Sequence, residues 1–453
     1  MPDWALISYV EPSHFDAGVC YVAATRYKLD DNKPYLFKTS DYGNSWTLIT
    51  TGLPQGNYTR SVREDPEHKG LLYAGTETGI YVSFNDGANW QSLQLNLPNT
   101  PVHDIQIQKR DKALVIATHG RGFWILDDIT PLYQINEKVA HSIAYLFKPS
   151  PSYRTPGFQI VDANMQSGTN APNGVLVRYY LKDSVDKEIR LKFMTSQGDS
   201  IVTFSSKKDV KGQLVEPPKE YYFNKKTIPP TILKNEPGMQ SLLWDMRYSD
   251  AKGDTSATFE GTLAGPKAIP GEYKVQLLIG DKIIQTQQFQ IVLDPRNTAS
   301  TFDLKEQFDL AMKIQAKQME IYNTIKQLRS IQLQVNSFMT SFEDSTQALP
   351  YKSLAKYITD TATIIEGKIY NTKIKAGEDD LRFPVALGEK LSGLKAAVMS
   401  ADAKPTASMF LSFNSLSDKI DVWLNAWKEI MRTKVAEFNQ KASSVKKSAI
   451  DVK

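Results

Sequence analysis

The chain holds a single cysteine, Cys20, in 453 residues, which excludes an internal disulfide and any thiolate cluster for zinc or iron–sulfur chemistry. Histidine is also scarce. All five, His14, His68, His103, His119 and His141, lie in the first third, so the 312 residues after His141 (453 − 141) cannot hold a His-based acid–base pair or a His-rich metal site. No apolar run approaches the roughly 18–20 residues of a membrane span. The opening MPDWALISYVEPSH has neither a basic n-region nor an apolar h-region, so neither a signal peptide nor a span is expected in this chain. Charge of one sign is missing too. The 54 Lys plus Arg against 50 Asp plus Glu leave +4, too even for the electrostatic footprint of a nucleic-acid partner. Residues 301–453 carry 22 basic and 18 acidic side chains, and 22 − 18 = +4 accounts for that whole surplus. Gly-x-Ser-x-Gly, Gly-x-x-x-x-Gly-Lys and His-Glu-x-x-His do not occur. The expectation is a chain with no catalytic residue, metal or cofactor of its own.

What is present is ample apolar material: 453 residues at 41% hydrophobic imply two to four domains. Residues 1–130 are short alternating runs of aromatic and β-branched residues split by Gly, Asn, Asp and Pro turns, the pattern of an all-β region. A repeat runs through them. KTSDYGNSW (Lys38 to Trp46) and VSFNDGANW (Val82 to Trp90) superpose with a shift of 44, and LLYAGTETGIYVS (71–83) superposes on ALVIATHGRGFWI (113–125) with a shift near 43. A period in the low forties with an aromatic per unit predicts propeller blades of four short strands. About three units are countable, short of the roughly four to eight that close a ring, so the blades should expose an edge and an apolar face.

Residues 131–170 are rich in Pro, Ser, Gly and Asn and read as a connector. Strand patterns resume at 174–182, 188–196, 200–206, 241–248, 270–279 and 283–292 and suggest a β-sandwich ending at Asp294-Pro295-Arg296. From Asp303 the period turns helical, with Leu304, Phe308, Ala311, Ile314, Ile321, Ile325 and Leu328 on one face. A last helix is expected to start at Pro405 and to carry Met409, Phe413, Leu416, Ile420, Trp423, Trp427 and Ile430. Shorter helices near 351–366 and 385–399 complete a bundle of about four. The fold class is multidomain, mainly β then α: partial β-propeller blades (1–135), a connector (136–170), an immunoglobulin-like β-sandwich (171–298) and a C-terminal helical bundle (299–453).

Thr39-x-Asp41-x-Gly43-x-x-Trp46 resembles the Asp-box turn of sialidase, sortilin and xyloglucan-hydrolase propellers. Ser83-x-Asn85-Asp86-Gly87-x-x-Trp90 departs from it by placing Asn where Asp is expected, and a third unit keeps only Asp128, with Thr130 in place of Gly. Together with RYKLDDNKPYLFKTSDYGNSW, THGRGFWILDDITPL and WDMRY followed by PGEYKVQL and DPR, the chain resembles the C-terminal half of bacterial sortilin-like or glycosyl-hydrolase-like Asp-box (BNR) repeat proteins. That resemblance implies a secreted, extracytoplasmic parent, further upstream blades as partners of this chain, and a peptide or glycan ligand.

Two motifs carry candidate chemistry. In the Asp-box the carboxylate can accept N–H bonds within a tight turn, Gly43 supplies a positive φ and Trp46 packs between strands, which is a structural role. Asn85 fits this, because its amide oxygen can cap the same turn but cannot act as a base. His119-Gly120-Arg121-Gly122, followed by Trp124 and Asp127, is the densest set of reactive side chains. One reading makes it a ligand site, with Arg121 as donor, Trp124 as a stacking platform and His119 and Asp127 as polar partners. The other makes the glycines turn formers. Glycosidases need two carboxyls across a cleft. Asp16, Asp30, Asp31, Glu64, Asp65, Glu77, Asp127 and Asp128 form no recognisable pair.

Overall fold

A computed structural model describes residues 1–155, 168, 170–207, 231–252, 261–342, 345–374, 379, 381–443 and 450–451. Contacts divide the chain into two compact units, Met1–His141 and Ser142–Lys453.

The first unit is built of three antiparallel sheets in chain order. β1 (Leu6–Pro12), β2 (Cys20–Arg26), β3 (Asp31–Thr39) and β4 (Thr47–Leu48) form one meander. β5 (Thr59–Glu64), β6 (Leu72–Thr76), β7 (Ile80–Ser83) and β8 (Gln91–Ser92) repeat it. β9 (Val102–Gln108), β10 (Ala113–Thr118) and β11 (Phe123–Leu126) make a third sheet of three, followed by two short helices, α1 (Thr130–Gln134) and α2 (Glu137–His141). The period of two decides how the sheets stack. On the middle sheet Val62, Leu72 and Ala74 join a core with Tyr21 and Leu36 of the first sheet, while Leu71 and Tyr73 join a second core with Val102, Ile105 and Ile116 of the third. All five residues of β6 are buried because both faces of its sheet are covered. The outer ends differ: Trp4, Leu6, Ile7 and Val10 at one end and Phe123 and Ile125 on β11 at the other are exposed.

The second unit begins with strands where a connector was expected. β12 (Ala144–Leu146) and β13 (Ser152–Arg154) fall within 136–170 and enter two different sheets. Their sequences are too short to show a period, and it is pairing with distant strands that makes them extended. Residues 156–167 and 169 of that stretch lie outside the described residues. The six expected strands are all present as β14 (Val175–Leu181), β15 (Ile189–Thr195), β16 (Ser200–Ser205), β17 (Gly238–Trp244), β18 (Gly271–Ile279) and β19 (Lys282–Leu293). One sheet has the order β12-β14-β17 and the other β13-β19-β18-β15-β16, with β13 parallel to β19 and the other pairs antiparallel. Both contribute to one core, where Trp244 is fully buried against Phe193 at 4.5 Å and Phe289 at 6.1 Å between ring centroids. After β19, Asp294 closes the turn by accepting from the backbone N–H and the guanidinium of Arg296.

Helices complete this unit: α3 (Thr301–Thr340), α4 (Leu349–Ile369), α5 (Leu387–Val398), α6 (Ala407–Ile430) and, beyond a π-turn over Met431–Val435, α7 (Ala436–Ala442). The expected face of α3 is buried apart from Phe308, which is half-buried with its ring edge-on to Tyr248 at 4.9 Å. On α6, Ile420, Trp427 and Ile430 are buried, and Met409, Phe413, Leu416 and Trp423 pack half-buried against the same cluster. The start of α6 is later than expected. Thr406 is its N-cap, accepting from the Met409 N–H, so Pro405 precedes the cap instead of occupying the first turn.

Candidate functional site

In the first unit two turns use one hydrogen-bond scheme. Thr39 Oγ1 donates to Asp41 Oδ1 at 2.8 Å and accepts from the Gly43 N–H at 2.9 Å, while Ser45 N–H donates to Asp41 Oδ1 at 2.8 Å. Ser83 Oγ donates to Asn85 Oδ1 at 3.0 Å, accepts from the Gly87 N–H at 2.9 Å, and Asn89 N–H donates to Asn85 Oδ1 at 2.9 Å. Gly43 and Gly87 have φ of +89° and +82°, a region that glycine enters without strain. The tryptophans diverge: the Trp46 indole N–H donates to Gly43 O at 3.1 Å, whereas that of Trp90 reaches Ile49 O of the preceding meander at 2.8 Å. Hydrogen bonds from Ser45 and Thr39 hold the Asp41 carboxyl below its ordinary pKa. A carboxylate engaged this way is occupied by its own turn.

The stretch from His119 to Asp127 is not gathered at one point. Gly120 and Gly122, at φ +90° and +68°, turn the chain from β10 into β11, closed by Thr118 N–H donating to Gly122 O at 3.1 Å. Trp124 lies half-buried against the third sheet's core and donates its indole N–H to Arg121 O at 3.0 Å. Arg121 precedes β11 and Asp127 follows it, so the two flank a strand about 13 Å long. His119 instead faces the neighbouring strand, where its exposed ring stacks on His103 at 5.3 Å and 13°.

That histidine pair ends a row of rings and charges around β5. Tyr27 and Tyr58 stack at 5.0 Å and 11°, and the Arg60 guanidinium lies 5.0 Å from one ring centre and 4.7 Å from the other. Glu77, on the turn between β6 and β7, accepts from Arg60 Nε at 2.9 Å and Nη2 at 2.7 Å. Tyr58 Oη accepts from Nη2 at 3.1 Å. Partial burial, with Arg60 and His119 adding to it, pushes the His103 imidazole below its ordinary pKa. Tyr27, Tyr58, Arg60 and Glu77 are half-buried and the two histidines exposed, so the row keeps rings, donors and acceptors at the surface.

Farther along the same strands is a buried carboxylate pair. Glu11 and Glu64 are 4% and 1% exposed, and Glu11 Oε1 accepts from the Glu64 N–H at 3.2 Å. Arg63 donates to Glu11 Oε2 at 2.7 Å and to Ile105 O at 2.7 Å, and lies 3.4 Å from Asp104. Burial, with Glu64 and Asp104 nearby, pushes the Glu11 carboxyl above its ordinary pKa, against the pull of the Glu64 N–H. Glu64 also accepts from the His14 N–H at 2.9 Å.

No protein-family model and no curated protein matches the chain. Among solved structures it is similar to YCF48 bound to D1 peptide, at 19% identity over 27% of this chain and 36% of that one, TM-score 0.21. It is similar to a GH74 enzyme of Niastella koreensis, at 11% identity over 63% of this chain and 46% of that one, TM-score 0.23. The GH74 xyloglucanase of Xanthomonas campestris gives 13%, 63%, 47% and 0.22 for the same quantities. All three are β-propeller proteins. The chain spans less than half the length of each. At these identities and scores the likeness carries neither an activity nor a ligand across.

In the row, Glu77 spends Oε2 on two guanidinium N–H groups of Arg60, which fixes the charge pair beside the stacked rings. The carboxylate pair is enclosed and tied to backbone and arginine. Of the row, sequence reasoning named only His119 as a site residue. The available signal was the two-residue step from Tyr58 to Arg60, which puts both side chains on one face at the start of β5. Glu11 and Arg63 had no local signal, since their partners lie 52 residues apart.

Proposed function

We propose that this chain is a non-catalytic binding and scaffold portion of a secreted, sortilin-like Asp-box propeller protein, in which the three sheets are closing blades and their loops engage a peptide or glycan. In this reading residues 171–298 form an immunoglobulin-like sandwich that, with the helices of 299–453, braces the ring. The turns at Asp41 and Asn85 are structural Asp-boxes, and His119, Arg121 and Asp127, which flank β11, face the ligand together with Trp124 on that strand. The observation that carries it is the surface row of stacked Tyr27 and Tyr58, the Arg60–Glu77 pair and the His103–His119 stack. Flat rings beside fixed donors and acceptors suit sugar faces and peptide groups alike. The exposed apolar residues on β1 and β11 are the faces that further blades of the parent would cover.

The test is titration of the full chain with glycan and peptide panels, beside a Tyr27→Ala/Tyr58→Ala double variant. Binding should weaken at least ten-fold in the variant with thermal stability nearly unchanged. Equal affinity in both proteins would overturn the assignment. The rival, part of a glycoside hydrolase whose carboxylates lie upstream, is favoured instead if the chain joined to further blades releases reducing sugar from xyloglucan and the row variant does so unimpaired. An assembly role through the apolar face of the last helix would show as self-association abolished by exposed polar substitutions there.

A further inference from the structure

The row around β5 carries its charge unevenly. Arg60 and Glu77 pair at 2.7 Å and cancel each other, so the row's carboxylate is spent. At one end Lys28 is exposed, its ammonium 6.0 Å from the Tyr27 ring centre and without an ion pair among the described residues. At the other, His103 on β9 and His119 on the loop after β10 stack at 5.3 Å with 13° between ring planes, both of them exposed. Arg121, two residues on, is exposed and has no ion pair among the described residues. What the row leaves for a ligand is therefore cationic or able to become so.

The histidine pair sets the response to protons. Two imidazoliums stacked ring on ring repel each other, and the second proton is opposed. The charged groups that act on His103 are Arg60 from β5, Glu77 from the turn between β6 and β7, and His119 from the neighbouring loop. Partial burial, Arg60 and His119 hold its imidazole below the ordinary pKa, with Glu77 opposing them. A carboxylate set against both ring edges removes the repulsion, because its two oxygens can accept one N–H from each imidazolium. Binding an anion and binding a proton then become one linked event.

We propose that the row binds a uronate-bearing glycan, with its carboxylate on the His103–His119 pair and a sugar face on the Tyr27–Tyr58 stack, and that the pair takes up a proton as the ligand binds. This rests on the reading of the row as a ligand site. A sugar is favoured over an acidic peptide because Tyr27 and Tyr58 lie within 11° of parallel and present flat ring faces, which a pyranose covers with its C–H bonds and an acidic side chain does not. A uronate stays ionised above roughly pH 5, as ordinary carboxyl groups do, so the change of charge at higher pH belongs to the histidines. Affinity rises as pH falls through the imidazole range.

The experiment is calorimetric titration of the full chain with trigalacturonate, its methyl ester and a triglutamate peptide, at pH 8.0 and pH 5.5 and constant ionic strength. Trigalacturonate is expected to bind at least ten-fold more tightly at pH 5.5, and its heat at pH 6.5 should vary with the ionisation enthalpy of the buffer in the sense of proton uptake. The methyl ester, with the same rings and no charge, should show no such response. A His103→Gln/His119→Gln variant should keep the wild-type thermal midpoint at pH 8.0 and lose the ten-fold gain. Equal trigalacturonate affinity at the two pH values, or a gain that survives in the histidine variant, would overturn the proton linkage while leaving the row as a ligand site. Triglutamate binding as tight as that of trigalacturonate would overturn the sugar assignment. Absence of saturable trigalacturonate binding at both pH values would overturn the whole inference; if the methyl ester still binds and Tyr27→Ala/Tyr58→Ala abolishes that binding, the row itself stands.

Discussion

Lys395 on α5 is fully buried, and its ammonium donates to three neutral acceptors: Leu263 O at 3.2 Å, Gln315 Oε1 at 3.0 Å and Gln318 Oε1 at 3.2 Å. Burial lowers its pKa from 10.5 to about 8, with Asp250 opposing and Arg247 reinforcing the change. The unfolded chain therefore holds this proton more tightly than the folded one, and stability rises with pH between the two values. A pKa difference of about 2.5 (10.5 − 8) is worth ~3 kcal/mol in full, of which roughly 2.5 kcal/mol falls between pH 7 and pH 10. Lys395→Met removes the titration and the charge-burial cost but leaves three acceptors without their donor, each worth ~1 kcal/mol. The variant should accordingly be near wild-type stability at pH 7 and about 2–3 kcal/mol less stable at pH 10. The assay is urea unfolding followed by the helical circular-dichroism signal at both pH values. Tyr179 and Tyr273, whose phenols burial keeps neutral, act oppositely at high pH but are common to both proteins and cancel in the difference. An unchanged gap between variant and wild type at the two pH values would refute the reasoning.

Asp41→Asn should keep the first turn, since Asn85 makes the same bonds in the second, whereas Asp41→Ala should lower the thermal midpoint of the first unit. The Asp41 contribution, from a carboxyl held below its ordinary pKa, is present above pH 4 and lost as acid protonates it, so the gap between the wild type and Asp41→Ala should narrow at low pH. Gly52→Ala should cost ~2–4 kcal/mol, because φ is +96° and the added Cβ would sit 2.3 Å from Trp90 O; a midpoint within error of wild type would contradict the close approach. Trp244→Ala should cost ~3–5 kcal/mol by emptying the centre of the core and removing the indole bond to Arg247 O at 2.9 Å, read as loss of near-ultraviolet dichroism and of midpoint.

Where a local pattern repeats, one dimension was enough to read it. Alternation placed six strands between 174 and 292 within a few residues of their observed ends, and the 44-residue shift matched two turns whose hydrogen bonds prove equivalent. Helical period marked Leu304 to Leu328 and Ile420 to Ile430 for burial, because side chains three and four apart share a face whatever they pack on. Capping was less legible: a proline and a threonine both stood at the start of α6, and only backbone geometry chose Thr406.

Long-range partners carry no local trace, and tertiary structure alone decided them. Three-residue strands such as β12 and β13 exist because β14 and β19 offer them hydrogen bonds, and their own residues have no period long enough to detect. Arg154 meets Asp402 across 248 residues, and Lys395 meets Leu263 across 132. The row from Tyr27 to His119 assembles from three sheets, each contributing one to three side chains. By itself the sequence determined a β-then-α chain with repeating turns, a single cysteine and no histidine after His141. The placement of charge in buried space was decided only by the fold, because desolvation and pairing depend on which distant segments close around a group.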